Sequence, residues 1–236
     1  MKIAATKIKF TQLIIKEITI KNTENIDWED LTTDKQGNLY IGDFGNNENV
    51  RKNLAIYKIN SANLHQDTIR EIKKITFNYP EQKEFPPKKD ALLYDCEAFF
   101  EWNNSFYLFT KNRSKHFDGI SLIYKIPNIP GHHTAALIGH FKTCSDNKDC
   151  AITSATMSID QSKIILLSNN RIWLLENFED KDFKKSKITE YDLGLSSQKE
   201  AICFKESDTI LIADERKKKK GGNVYSISLK HLKGKS

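Results

Sequence analysis

The chain has 236 residues, 29% of them charged, enough for one sizeable domain with a buried core and too apolar in pattern for a disordered or low-complexity chain. No stretch approaches the ~20 consecutive apolar residues of a membrane-spanning helix, so no membrane span is expected. The net charge of +6 is modest, and much of it sits in Arg216-Lys217-Lys218-Lys219-Lys220, a run without interleaved aromatics that reads as a solvated turn rather than a nucleic-acid site.

Residues 1–20 are basic and alternate Lys with apolar residues, without the continuous apolar region of a signal peptide. Lys7-Ile8-Lys9-Phe10 and Leu13 to Ile20 read as two strands of a unit whose first half is missing. Four fuller units follow, over about 27–80, 95–143, 152–194 and 199–229. Set in register on Glu29, Glu97, Ser154 and Glu200, each carries an apolar triplet ten to twelve residues on: Leu39-Tyr40-Ile41, Tyr107-Leu108-Phe109, Ile164-Ile165-Leu166 and Ile210-Leu211-Ile212. Between register residue and triplet lie turn formers, Lys35-Gln36-Gly37, Asn103-Asn104-Ser105, Asp160-Gln161-Ser162 and Glu206-Ser207-Asp208. Gly37 suits the left-handed end of a short hairpin loop.

A third strand is marked in each unit by an aromatic among apolar residues: Tyr57, Tyr124, Trp173 and Tyr225. Alternating segments supply a fourth strand in three units, Ile69 to Phe77, Ala136 to Lys142 and Lys187 to Leu193. Repeated four-stranded antiparallel units bury their faces by packing radially against one another. The fold expected is all-β, a single β-propeller domain over 1–236 with four recognisable blades and a partial N-terminal blade over 1–20. Either that partial blade closes a four-bladed ring by pairing Leu13 to Ile20 with the last blade, or it is the remnant of a fifth blade. The second is preferred, because Met1 stands directly before a third-strand pattern.

In this architecture the first strands line the axis, and hairpin arithmetic sets Glu29 opposite Asp43, Glu97 opposite Lys111, Ser154 opposite Ser168 and Glu200 opposite Asp214. Like charges facing across a ladder are destabilising, so Glu29/Asp43 and Glu200/Asp214 need an offset: Lys111, a shared proton, or a bound cation. Glu29, Asp43, Glu97, Glu200 and Asp214 are therefore candidate ligands for calcium or another divalent cation. Asn46, Lys111, Asn112, Arg113, Ser154, Ser168, Asn169, Arg171, Glu215 and Arg216 surround them as candidate ligand-binding residues. With Arg51, Lys52 and Lys115 on the same loops, an acidic centre ringed by basic groups suits an anionic small molecule, saccharide or phosphate ester. A structural ion network is the alternative. Cys96 and Cys203 read as core residues, while Cys144 and Cys150 flank a turn-rich loop that fits either a disulfide or two free thiols. No G-x-S-x-G, P-loop or H-E-x-x-H occurs, and no catalytic residue is assigned.

At Asp27-Trp28-Glu29-Asp30-Leu31, with Leu39-Tyr40-Ile41-Gly42-Asp43-Phe44-Gly45-Asn46-Asn47, the chain resembles bacterial β-propellers related to the SdiA-regulated family and, more distantly, esterase-like phytase and gluconolactonase-type propellers. Asp95-Cys96-Glu97-Ala98, Glu200-Ala201 and Ala213-Asp214-Glu215 fit the same pattern. The resemblance implies acidic residues near the axis and an exported protein, although no signal peptide is visible; Ser154 departs from it, where the other units have Glu. The expectation is a monomeric binding module for an anionic small or polymeric ligand, bound directly or through the cation. The alternatives are a metal-dependent hydrolase of phosphate esters or lactones, and a scaffold for another protein.

Overall fold

A computed structural model of the chain describes residues 6–8, 16–179, 183–194, 197–218 and 221–232. Four antiparallel sheets stand side by side around an axis as the blades of a four-bladed β-propeller. Blade I comprises Trp28–Thr33, Leu39–Asp43, Leu54–Ile59 and Lys73–Asn78; blade II, Asp95–Trp102, Ser105–Lys111, Ile120–Pro127 and Ala136–Lys142. Blade III comprises Ile152–Met157, Lys163–Ser168, Arg171–Glu176 and Lys187–Asp192; blade IV, Lys199–Glu206, Thr209–Asp214 and Val224–Ser228. The repeat predicted each of these strands to within a few residues.

The turns form as their residues dictate. Gly37 takes φ +75° where Asp34 caps the hairpin through Gln36 N and Asn38 N, and Asn103-Asn104 take φ 49° and 55°, values that side chains other than Asn and Gly rarely tolerate.

The N-terminal segment differs from expectation. Thr6–Ile8 pairs antiparallel with the third strand of blade IV, Thr6 opposite Ser226 and Ile8 opposite Val224, and so becomes that blade's fourth strand. Thr19–Ile20 pairs parallel with Thr68–Ile69 in a separate two-stranded sheet. Among the described residues there is no separate partial blade, and the fifth-blade preference gives way to the four-bladed ring, closed by a different segment than Leu13 to Ile20. The physical reason is edge satisfaction: Val224–Ser228 would otherwise present unpaired backbone groups. Residues 9–15, including Leu13, lie outside the described residues.

Apolar packing is divided among the blade interfaces. Blades I and II share a cluster including Tyr40, Phe44, Phe77, Phe99 and Tyr124, all fully buried, with Phe44 edge-on to Phe99 at 5.1 Å. Blades II and III meet through Phe100, Tyr107, Phe109, Leu166 and Trp173. Blades III and IV meet through Ile165, Leu167, Ile202, Ile210 and Ile212. Alternation along the strands leaves the opposite face of blade I, with Ile41, Tyr57 and Ile59, covered by Ile18 and Ile20. The opposite face of blade IV carries Leu211, Ala213 and Val224, each only half-buried. No apolar cluster joins blade IV to blade I among the described residues. Cys96 is buried as expected, whereas Cys203 is exposed on this unpacked face.

Cys144 and Cys150 form a disulfide that flanks the short helix Asn147–Cys150, whose N-cap Asp146 accepts from Lys148 N and Asp149 N. Cys150 is part of the apolar cluster between blades II and III.

Candidate functional site: the axial mouth and the blade IV–blade I seam

Each first strand carries a β-bulge near the end that opens on the axis. In blade I the register runs Trp28↔Asp43 and then Asp30↔Gly42, leaving Glu29 as the extra residue. Glu97 occupies the bulge of blade II, Thr153 that of blade III and Glu200 that of blade IV. A bulge adds one residue to one strand and re-aims its side chain. The expected cross-strand oppositions are corrected accordingly. Asp43 faces Trp28, Lys111 faces Asp95, Ser168 faces Ile152 and Asp214 faces Lys199, so the ladder sets no Glu directly against an Asp.

The second-strand acids have local partners. Asp43 is fully buried; its Oδ1 accepts from Arg51 Nη2 at 2.9 Å and from Asp27 N at 3.0 Å. Asp214 accepts from Asn223 N at 2.6 Å and from Tyr225 Oη at 3.1 Å. Burial opposes its ionisation, but these hydrogen bonds prevail and hold its carboxyl below the ordinary range. Several residues expected around a ligand serve the loops instead. Asn46 donates its N–H to Asp95 Oδ1 at 2.6 Å and accepts from Arg51 N; Asn112 accepts from Ser114 and donates to Asp118. Ser168 donates to Asp149 O, Asn169 donates to Lys148 O, and Arg171 pairs with Glu190. Glu215 donates its N–H to Gln198 O, and Arg216 is exposed.

The first-strand glutamates behave differently. Lys111 Nζ lies 2.5 Å from Glu97 Oε2, and Arg113 bridges Asp95 Oδ2, at 2.7 Å through Nε, and Glu97 Oε1 through Nη2. Arg113 Nη1 has no hydrogen-bond partner among the described residues. Glu29 makes no hydrogen bond to a described residue. Burial, then the charges of Glu97, Asp27 and Asp95, push its carboxyl up to about 9, against which Lys111 acts only in part. Asp95 is raised by burial and by Glu97, despite Arg113. Glu200 is raised chiefly by burial, with Lys111, Arg113 and Lys217 opposing. Glu29, Glu97 and Glu200, from three blades, thus gather around the two cations of blade II.

One residue below, sequence reasoning missed Asp30. It is nearly fully buried at the axis, and its carboxyl accepts from Phe99 N on blade II at 3.3 Å and from Ser154 Oγ on blade III at 3.2 Å. Ser154 in turn accepts from Ile202 N on blade IV at 3.3 Å, so one chain of hydrogen bonds ties all four blades together. Burial pushes Asp30 up to about 8 even against these donors. The bulge corrects the sequence register here: Thr153 stands where the other units have Glu, and Ser154 stands level with Asp30, Ala98 and Ala201. Lys199 was also missed: it is buried, donates to Asn169 O at 2.6 Å, and burial brings its amine down to about 8. The signal for both was adjacency, since each immediately neighbours a register glutamate.

Beside the mouth, the seam between blades IV and I holds a groove of about 470 Å³. Glu29 and Asp30 line one part of it and Leu31, Ile202, Leu211, Ala213 and Val224 the rest. Among the described residues no group of three or more His, Cys, Asp or Glu side chains comes together as a metal-binding set. Among the described residues no helix is long and apolar enough to cross a membrane.

No protein-family model matches the sequence, and no curated protein matches it. Solved structures resemble the fold. A NanB sialidase mutant from Streptococcus pneumoniae superposes over 85% of this chain and 30% of its own, at 11% identity and TM-score 0.49. A GH43 β-1,3-galactosidase does so over 90% and 45%, at 12% identity and TM-score 0.49. The hemopexin-fold protein CP4 from cow pea covers 86% and 93%, at 12% identity and TM-score 0.41. The chain spans less than half the length of the first two. These likenesses are of fold alone.

Proposed function

We propose that this propeller is a binding module whose axial mouth takes a small or polymeric ligand by an anionic group. The observation that carries the reading is Arg113: its guanidinium is fixed by Asp95 and Glu97 yet keeps Nη1 without a hydrogen-bond partner among the described residues, in a mouth where burial pushes the Glu29 carboxyl up to about 9. With its proton affinity raised, Glu29 offers an O–H donor near neutral pH, and an incoming anion would compete with Asp95 and Glu97 for Arg113 and Lys111. Lys111 and Arg113 supply positive charge, so the reading holds with or without a divalent cation at Glu29, Glu97 and Glu200.

Melting of the full chain is measured with hexanoate, glucuronate and glycerol phosphate, each with and without chelator. A ligand bound only by the folded state raises the midpoint. At least one anion is expected to do so, and Arg113→Gln to abolish the rise; no shift with any of them overturns the reading. A rise lost on chelation brings the cation into the site. A second reading, hydrolysis of a phosphate ester or lactone, is favoured by Glu29 and Asp95, two neighbouring carboxyls whose proton affinities are pushed up in a charged cleft. Turnover of p-nitrophenyl phosphate or of a lactone, lost in Glu97→Gln with folding intact, would establish it.

A further inference from the structure

The groove in the blade IV–blade I seam has one acidic end and apolar walls. At about 470 Å³ it falls within the usual size of a small-molecule pocket. Leu31 is 58% exposed, and Leu211, Ala213 and Val224 are only half-buried, on a sheet face whose other side is packed against blade III. Among the described lining residues the acids are Glu29 and Asp30, and there is no Lys or Arg. Asp30 has its oxygens occupied by Phe99 N, Leu31 N and Ser154 Oγ. The Glu29 carboxyl makes no hydrogen bond to a described residue, and neither does the carboxyl of Asp27. The two meet over Gly45, where a Cβ would fall against Glu29 Oε1 and Asp27 Oδ2 alike.

The field at that end is acidic. Asp27, Glu29, Asp95, Glu97 and Glu200 surround Lys111 and Arg113, and these two cations are already engaged by Glu97 and Asp95. Glu215 and Lys217, which also act on Glu200, offset one another at 3.9 Å. Burial and the charges of Glu97, Asp27 and Asp95 push the Glu29 carboxyl up to about 9, so it takes up a proton for want of another positive charge. An ammonium ion can stand in for that proton. A primary ammonium brings three donors to carboxyl oxygens that have none. A quaternary one is held by aromatic faces, and the described walls of the groove contain no aromatic side chain.

We infer that the groove binds a free primary alkylammonium ion, its head between Glu29 and Asp27 and its chain against Leu31, Leu211, Ala213 and Val224. Charge complementarity selects the head, and the half-buried apolar face of blade IV selects the tail. On binding, the Glu29 carboxyl gives its proton to solvent and the ammonium keeps its own. This site is separate from the anion-binding reading, which stands on Arg113 and is tested with anions, so either can fail alone.

The test is calorimetric titration of the full chain with butylamine, hexylamine and octylamine, below the concentrations at which the longest aggregates. Burying a methylene is worth about fourfold in affinity, and binding is expected to strengthen by that factor per carbon until the groove is filled. No binding by any amine, or binding without gain along the series, overturns the inference. Hexanol or hexyltrimethylammonium binding as tightly as hexylamine overturns the choice of head group, as does an equal gain from butanoate to octanoate. Between pH 6 and 8 amine affinity should rise with pH, by at most about tenfold per unit, as one proton is given up for each amine bound. Affinity that is flat across this range overturns the pairing with Glu29. Glu29→Gln should weaken hexylamine at least tenfold and remove the proton release, with folding followed by melting. Ala213→Trp, at a half-exposed position, should erase the gain with chain length; if that variant does not fold, Leu211→Ser serves the same purpose. Hexylamine bound unchanged by Glu29→Gln sinks the site. A Lys-rich peptide bound where hexylamine is not overturns the free amine as occupant.

Discussion

Among the described residues, three blade interfaces enclose an apolar cluster and one does not. Blades I–II, II–III and III–IV each enclose a cluster of buried aromatic or branched side chains, whereas the IV–I seam has a half-buried apolar face, an exposed Cys203 and a groove. All four blades come from the same hairpin pattern, so the difference does not lie in strand content. It lies in residue size. Blade II brings Phe99, Phe100, Phe106, Tyr107 and Phe109 to its two faces, while the outward face of blade IV offers Ala201, Cys203, Leu211, Ala213 and Val224. Large rings fill the wedge between blades splayed about an axis; small residues leave it open. The seam is thus the open interface, and the sealed interfaces are where the fold keeps its stability.

That contrast makes its largest prediction for core truncation. Phe99→Ala, in the sealed I–II interface, is expected to cost about 3–5 kcal/mol, by lost burial plus a cavity. Leu211→Ala, on the seam, is expected to cost less than about 1 kcal/mol, because the face is already half in water. Denaturant midpoints at constant m-value measure both, and equal losses would break the comparison. Next comes the axial chain of hydrogen bonds, which holds the unsealed blade in place. Asp30→Ala leaves Phe99 N and Ser154 Oγ without their acceptor, for an expected loss of about 2–4 kcal/mol. Asp30→Asn, which keeps an acceptor, should lose much less.

The blade count, the strands and the turns were legible because they depend on local alternation and on residues such as Gly37 and Asn104 that have few other uses. The gathering of Glu29, Glu97 and Glu200 was legible too, since matched hairpin lengths place equivalent residues at one end. The register was not. A bulge is a one-residue insertion opposite an unbroken strand, and nothing in the alternation of Trp28-Glu29-Asp30 says which residue is extra. That one residue turned supposed Glu–Asp oppositions into Trp28↔Asp43 and Lys199↔Asp214. The role of Asp30 was hidden for another reason: its partners lie 69 and 124 residues away. The fate of Thr6–Ile8 depended on which sheet edge lacked a partner, a property of the assembled ring rather than of the segment.

A smaller effect should come from the Cys144–Cys150 disulfide, which borders the sealed II–III interface. Closing so short a loop is worth about 2 kcal/mol in the chain-entropy account. Cys144→Ser with Cys150→Ser should therefore lower the unfolding free energy by about that much, and reduction of the native chain should lower its melting point by the same route. Neither change should alter ligand binding at the mouth. A loss of binding would tie the site to this interface and weaken the division drawn between the two regions.

The smallest expected effect is a slope, and it bears on the boundary between mouth and seam. Glu29 is pushed from 4.5 to about 9 in the folded chain, mainly by burial. Below pH 4.5 both folded and unfolded states hold its proton, so the group does not affect stability. Between about 4.5 and 9 the unfolded chain releases the proton and the folded chain keeps it, so fewer protons are bound on unfolding and stability falls as pH rises. Asp30 acts in the same direction from 3.8 to about 8. The limit for each group is about 1.4 kcal/mol per pH unit. Because Glu29 is partly open to solvent at the groove, its share should be well under that. Unfolding free energies of wild type and Glu29→Gln, measured from pH 5 to 9, should converge at the acid end and separate toward the alkaline end, with the variant the more stable. Parallel curves would mean that Glu29 is ionised in the folded chain and that the mouth carries one more negative charge for an incoming anion to overcome.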